Sequence, residues 1–227
     1  MIAELSLWCV KMRNLEKDEE KRGKYREKLL ETAFTLFSKE SIESVKFEDI
    51  AKESNIGAAT VYRYFGSKPE MVIELATKKW IEHYKEVEEF YQKAGGDSMN
   101  AAEELEFFLD SFINLYRNHK DLLRFNRNFD TYVIHEKCTE KQMKPYNDAV
   151  SIFAEKFHTV YKKAQEDGTL SIKVSEKKLF VNIMYIMLSV AGKYAEGLVY
   201  PPHAERDMTE ELFLLKHMIY DSYAKRL

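Results

Sequence analysis

Among the side chains between residues 60 and 68 that can donate to an anion are Thr60, Tyr62, Tyr64 and Lys68. Three are hydroxyls. Lys68 adds an ammonium where Ser67, Pro69 and Glu70 spell a helix start. Such groups suit phosphate oxygens, which take hydroxyl donors and cations at helix N-termini. The same stretch, "NIGAATVYRYFGSKPEM" from Asn55 to Met71, also carries Val61 and Phe65, which read as core. Taken by themselves, Tyr62 and Tyr64 fit either a small core or a gripping surface. Arg63 could meet a phosphate or a neighbouring carboxylate.

Chemistry that makes and breaks bonds has little to work with. Glu155-Lys156-Phe157-His158 is the sole ExxH, and a di-iron helical bundle needs two. There is no HExxH, no Gly-rich phosphate loop and no nucleophile elbow. Cys9 and Cys138 lie far apart, outside any CxxC or metal-like spacing, which suits a reduced, cytoplasmic setting. No catalytic residue, metal site or cofactor is expected.

The elements that must position these residues are helical. The 227 residues are 45% hydrophobic and 32% charged, enough to bury a core. Only 8 Gly and 4 Pro leave few tight turns, which favours long helices over a many-stranded fold. The net charge of −3 gives no general pull toward nucleic acid, so a polyanion would have to meet a local patch. "MIAELSLWCVKM" has Glu4 where a secretion signal wants positive charge. The longest apolar run, "LFVNIMYIMLSVAG", contains Asn182 and falls short of the ~20 residues a bilayer span needs. It reads as a buried helix of a soluble protein.

Residues 1–21 read as a mixed-charge extension, solvated or frayed. From Tyr25 the apolar spacing predicts a helix to about Glu40, with Leu29, Leu30, Ala33, Phe34, Leu36 and Phe37 on one face. Two very short helices follow, Phe47 to Ser54 and Ala58 to Phe65, with only "NIG" between them. That suits a helix-turn-helix, with Asn55 at positive φ. A long helix opens at Ser67 and stops at Gly95-Gly96. The next runs from Asn100 to Asn118 behind an Asn100/Glu103 capping box. One or two shorter helices are expected after it. Pro145 opens another, ending at Gly168. Ser175 caps one that runs to about Leu198, and Thr209 starts the last. The expected fold is all-α, about nine helices.

On these residues the chain resembles the TetR (tetracycline-repressor-like) family of transcriptional regulators. "LLETAFTLFSKES", then "DIA", then "TVYRYF", then "SK" at the head of a long helix follow the family's DNA-binding pattern in order. The match runs from about Tyr25 to Leu75. The resemblance implies a helix-turn-helix DNA-binding domain over 22–67 and a helical ligand-binding and dimerisation domain over 68–227. It implies DNA contacts from Thr60, Tyr62, Tyr64 and Lys68, with the tyrosine hydroxyls turned toward DNA; Lys46 at the start of the second helix, and Ala58 and Ala59 at the start of the third, are further candidates. Ala58 and Ala59 open the third helix and can offer bases only apolar contact. Residues 22–70 hold nine Lys and Arg against eight Asp and Glu, so a DNA face requires the acids to be turned away.

The resemblance further implies a homodimer through the last two helices, a double-stranded DNA operator, and repression relieved by a small, largely apolar effector. The helix from Ser175 is apolar nearly all round, which supports burial on several sides. The middle of the chain is rich in aromatics and methionine, which suit an apolar pocket or an ordinary core. Phe108, Phe112, Tyr116, Phe125, Phe129, Tyr132, Tyr146, Met184 and Met187 are the candidates for a pocket wall. Asn126, Asn182 and His158 are candidate polar handles. The competing expectations are a helical scaffold without specific DNA binding and, further off, an all-α enzyme.

Overall fold

The computed structural model describes residues 2–203 and 206–225, with side chains from residue 19 onward. In chain order the helices are α1 (Ile2–Phe37), α2 (Phe47–Ser54), α3 (Ala58–Phe65), α4 (Lys68–Lys93), α5 (Ala101–Asn118), α6 (Lys120–His135), α7 (Glu140–Asp167), α8 (Glu176–Ala195) and α9 (Thr209–Tyr223). A short 3-10 turn, Gly96–Ser98, precedes α5. Among the described residues there is no strand; one isolated antiparallel bridge joins Leu170 to Ala224. The chain divides into two compact units, Met1–Met71 and Val72–Leu227.

In the first unit α1 packs on α2, and α2 on α3. Their shared core holds Leu29, Ala33, Phe37, Ile50, Val61 and Phe65, all buried. The helix expected from Tyr25 begins far upstream. The charged stretch before it is rich in Glu, Lys and Arg, which are good helix formers, and Glu20 pairs with Lys24 one turn on at 2.6 Å. Residues 19–25 of this stretch are exposed; the side chains of the rest of the expected extension lie outside the described residues.

The second unit is built around α5, which packs against α6, α7, α8 and α9. Its start is fixed by a reciprocal cap. The Asn100 amide donates to Glu103 Oε2 (2.9 Å), and the Glu103 amide to Asn100 Oδ1 (3.0 Å). Phe125, Phe129, Tyr132 and Phe157 form much of the core. Buried charges are paired: Lys163 meets Glu104 at 2.7 Å, and Lys216 meets Asp110 at 2.7 Å and Glu106 at 2.9 Å.

Two boundaries differ from expectation. α7 starts at Glu140, not at Pro145, because Thr139 and Gln142 cap it: the Thr139 amide donates to Gln142 Oε1 at 2.9 Å. Pro145 sits inside the helix near its start, where it forfeits one backbone bond. α8 ends at Ala195 because Gly197 turns to φ 74°, and the Leu198 amide bonds back to the Lys193 carbonyl. Nor is α8 buried all round in this chain. Leu179, Ile183 and Met187 are buried, whereas Tyr185 is 71% and Ile186 42% exposed.

Candidate functional site

The first unit presents a short α2, a tight turn and a short α3. Asn55 adopts φ 54°, ψ 42°, the left-handed conformation that lets the chain leave α2 at once. The Ile56 amide then closes on the Ala51 carbonyl at 3.0 Å. α3 is held by Val61 and Phe65, both buried, and by Arg26 of α1. Arg26 Nη1 donates to the Tyr64 carbonyl at 2.7 Å, and its guanidinium lies 4.5 Å from the centre of the Phe65 ring. Sequence reasoning missed Arg26; a lone arginine in a charged helix carries no spacing signal.

The candidate DNA-contacting residues divide by exposure. Lys46, Ala59 and Tyr62 are exposed, while Ala58, Thr60, Tyr64 and Lys68 are half-buried. Lys46 precedes α2, and its amide donates to Asp49 Oδ2 at 2.7 Å. Lys68 Nζ donates to the Glu43 carbonyl at 3.2 Å, so one of its donors is used within the unit. Tyr62 is 50% exposed. Its ring packs edge-on against Phe47 with centroids 4.9 Å apart, and its hydroxyl donates to Glu48 Oε1 at 3.3 Å. The nearby Glu48 charge pushes the Tyr62 phenol above its ordinary range. One acid, Glu48, thus stands beside a candidate contact residue where α3 meets α2.

The second unit contains a cavity of about 730 Å³ among α4, α6, α7 and α8. Its wall is mostly apolar, with Trp80, Phe153, Phe180 and Leu188 prominent. Of the nine residues proposed from sequence for a pocket wall, Tyr146 and Met184 line it. Phe108, Phe112, Tyr116, Phe125, Phe129, Tyr132 and Met187 are buried in the packed interior instead. Helical periodicity marks burial equally for a core and for a cavity wall, so it could not separate the two groups.

Polar groups converge on Asn126. Trp80 Nε1 donates to its Oδ1 at 3.1 Å, the Tyr146 hydroxyl approaches the same oxygen at 3.5 Å, and its Nδ2 reaches Asp130 Oδ2 at 3.4 Å. Asp130 has exposed surface at the cavity, but the surrounding walls desolvate its carboxyl and push its pKa up to about 6. Burial also pushes the Tyr146 phenol well above its usual range. Arg127 and Lys193 bring cations to the lining, and Arg127 is ion-paired with Glu196. Asn182 and His158 stand apart from the wall: Asn182 is exposed, and His158 Nδ1 pairs with Glu176 at 2.8 Å. Behind Trp80 and Phe153 sits His83, which both rings touch. Desolvation draws its pKa down to about 4, and the neighbouring His119 adds to the effect.

Residues 29–75 match the family described as bacterial regulatory proteins, tetR family. An HTH-type transcriptional regulator of Staphylococcus aureus (strain MRSA252) is 30% identical over 102 residues, 44% of this chain and 51% of that protein. The chain thus spans about half the length of this curated relative. A putative transcriptional regulator from Saccharomonospora viridis, solved in complex with choline, superposes with a TM-score of 0.70 at 18% identity, covering 90% of this chain and 100% of that one. The regulator FadR from Bacillus subtilis, solved with stearoyl-CoA, gives 0.65 at 13% identity over 85% and 96% of the two chains. The chain therefore carries a tetR-family helix-turn-helix segment within the all-α fold of these transcriptional regulators. Among the described residues, no helix is long and apolar enough to cross a membrane.

Proposed function

We propose that the protein is a cytoplasmic, ligand-responsive transcriptional regulator, a homodimeric repressor released from its operator by a small, largely apolar molecule. The observation that carries this function is one chain holding both a tetR-family helix-turn-helix and, in its second unit, a mostly apolar cavity of about 730 Å³. DNA contact falls to α3 and its flanks, with Lys46, Thr60, Tyr62, Tyr64 and Lys68 as phosphate donors and Ala58 and Ala59 approaching bases. Two copies place two such units on half-sites about 34 Å apart.

Dimerisation is supported by the apolar surface that α8 and α9 leave open. Tyr185 and Ile186 on α8, and Leu214 and Met218 on α9, are 42–71% exposed. The complexes of two structural neighbours with choline and with stearoyl-CoA support a cavity ligand. In this chain Trp80, Phe153 and Met184 favour an apolar body, with Asn126 and Asp130 as its polar contacts. The ligand acts by population shift: it binds better to a form whose recognition helices are wrongly spaced. α4 runs unbroken from Lys68 to Lys93 and carries Trp80 in the cavity wall, which makes it the connecting element.

A gel-shift with the chain's own upstream DNA tests the DNA-binding half. Preference over unrelated DNA, with affinity falling steeply as salt rises, supports it. Equal binding to both DNAs counts against it and favours a helical scaffold.

A further inference from the structure

We propose that His83, Glu86 and His119 form a binding site for a divalent transition-metal ion of the zinc type. One ligand atom from each lies within 4.8 Å of the other two. His83 and Glu86 are three residues apart on α4, so one face of that helix presents both. His119 comes from the junction where α5 gives way to α6. The three are 36 positions apart at most in sequence, and only the fold assembles them.

The donor chemistry selects the metal class. Two imidazoles and one carboxylate are a set that zinc accepts at about 2.0–2.2 Å, leaving a fourth position for water or a small ligand. Tetrahedral coordination at that range puts donors about 3.3 Å apart. His119 Nε2 and Glu86 Oε2 are 2.8 Å apart, and no pair of ligand atoms in the set is more than 4.8 Å apart. Magnesium and calcium prefer all-oxygen shells and fit poorly.

A second observation points the same way. His83 is only 6% exposed, and its Nδ1 is buried without a hydrogen-bond partner. Buried ring nitrogens are ordinarily satisfied, so an orphan calls for a partner. His119 Nε2 is also buried and lacks a well-directed hydrogen bond, although the Glu86 oxygen is at ion-pair distance. A cation between them would meet the lone pairs that no protein hydrogen bond uses. The His83 ring is held by Trp80, edge-on at 5.9 Å, and by Phe153, stacked at 6.3 Å. Such packing fixes ligand orientation before the ion arrives. The His119 and Glu86 side chains are about one-third exposed, which gives an ion a route in from solvent.

Because Trp80 and Phe153 also line the cavity, the ion and a cavity ligand share a wall. Occupation would tie α4 to the α5–α6 junction.

The test uses untagged full-length protein, stripped with a chelator and titrated with zinc chloride against a chromophoric competitor. One ion per chain at micromolar or tighter affinity is expected. His119→Ala and Glu86→Gln should each weaken it at least tenfold while leaving the helical circular dichroism unchanged. Cobalt(II) should give a visible spectrum that both variants lose, and millimolar magnesium should not compete. Absence of stoichiometric zinc binding overturns the proposal. So does zinc binding that both folded variants retain in full, since the ion would then sit elsewhere.

Discussion

Glu48 and Tyr62 meet across the helix-turn-helix, with the tyrosine hydroxyl 3.3 Å from the carboxylate on an exposed face. A donor assigned to a phosphate is thus engaged in the free protein by an acid that a phosphate would repel. If Tyr62 serves a phosphate as proposed, it must give up this contact and tolerate the Glu48 charge nearby. Glu48→Gln removes that repulsion and should tighten operator binding several-fold at low salt, with the gain shrinking as salt rises. Tyr62→Phe should weaken binding. Quantitative gel-shifts across a salt series check both. Weaker binding by Glu48→Gln would show that the glutamate helps to place the tyrosine.

Asn55 holds the turn at φ 54°. Asn55→Gly should be tolerated or slightly stabilising, since glycine adopts this conformation freely. Asn55→Val should cost about 1–2 kcal/mol, because a β-branched side chain resists positive φ. Denaturant unfolding reads the difference, and equal stabilities would count against the strain argument.

The turn and α3 show what the sequence could disclose. Short helices, a left-handed asparagine and capping residues are local features, so their signals sit within a few positions of one another. Asn100 with Glu103, and Phe47 to Ser54, were legible for that reason. The cavity was not. Phe129 and Met184 have the same helical, apolar signature, yet Phe129 is 1% exposed inside the core and Met184 lines the cavity. What separates them is how α6, α7 and α8 diverge, a tertiary fact without local trace. The His83, Glu86 and His119 cluster was invisible for the same reason, as was the acid beside Tyr62.

Phe129→Ala should cost about 3–5 kcal/mol, the usual price of emptying a packed aromatic site. Met184→Ala removes atoms from a wall that already faces open space, so it should cost less. It should instead alter which apolar ligands bind. Unfolding free energies and ligand titrations on both variants check this, and equal destabilisation would argue that Met184 is core.

Asp130 supplies a pH signature. Its folded pKa, about 6, lies above the ordinary carboxylate value, because the cavity walls disfavour the charged form. An acid with a raised folded pKa is a stability cost that grows as pH rises. The unfolded carboxyl ionises first, so the cost begins near pH 4 and is complete above about 6. Asp130→Asn should therefore gain on the natural chain in melting temperature between pH 4 and 7. A constant difference across that range would mean that the carboxyl is well solvated.

Leu214 and Met218 are 63% and 65% exposed on α9. If this face pairs with a second copy, Leu214→Glu combined with Met218→Glu should yield a folded monomer and weaken operator binding strongly, because one half-site would then bind alone. Sedimentation velocity reads the assembly state. A natural chain that is already monomeric at micromolar concentration would remove the dimer from the account.

In the proposed mechanism a cavity in the second unit controls DNA binding by the first. The most direct test is operator affinity, measured at fixed salt with and without an apolar ligand shown by calorimetry to bind the cavity. The account predicts specific binding that falls tenfold or more at ligand saturation, and a ligand affinity reduced by the same factor when operator is bound. Unchanged operator affinity under saturating ligand would contradict it.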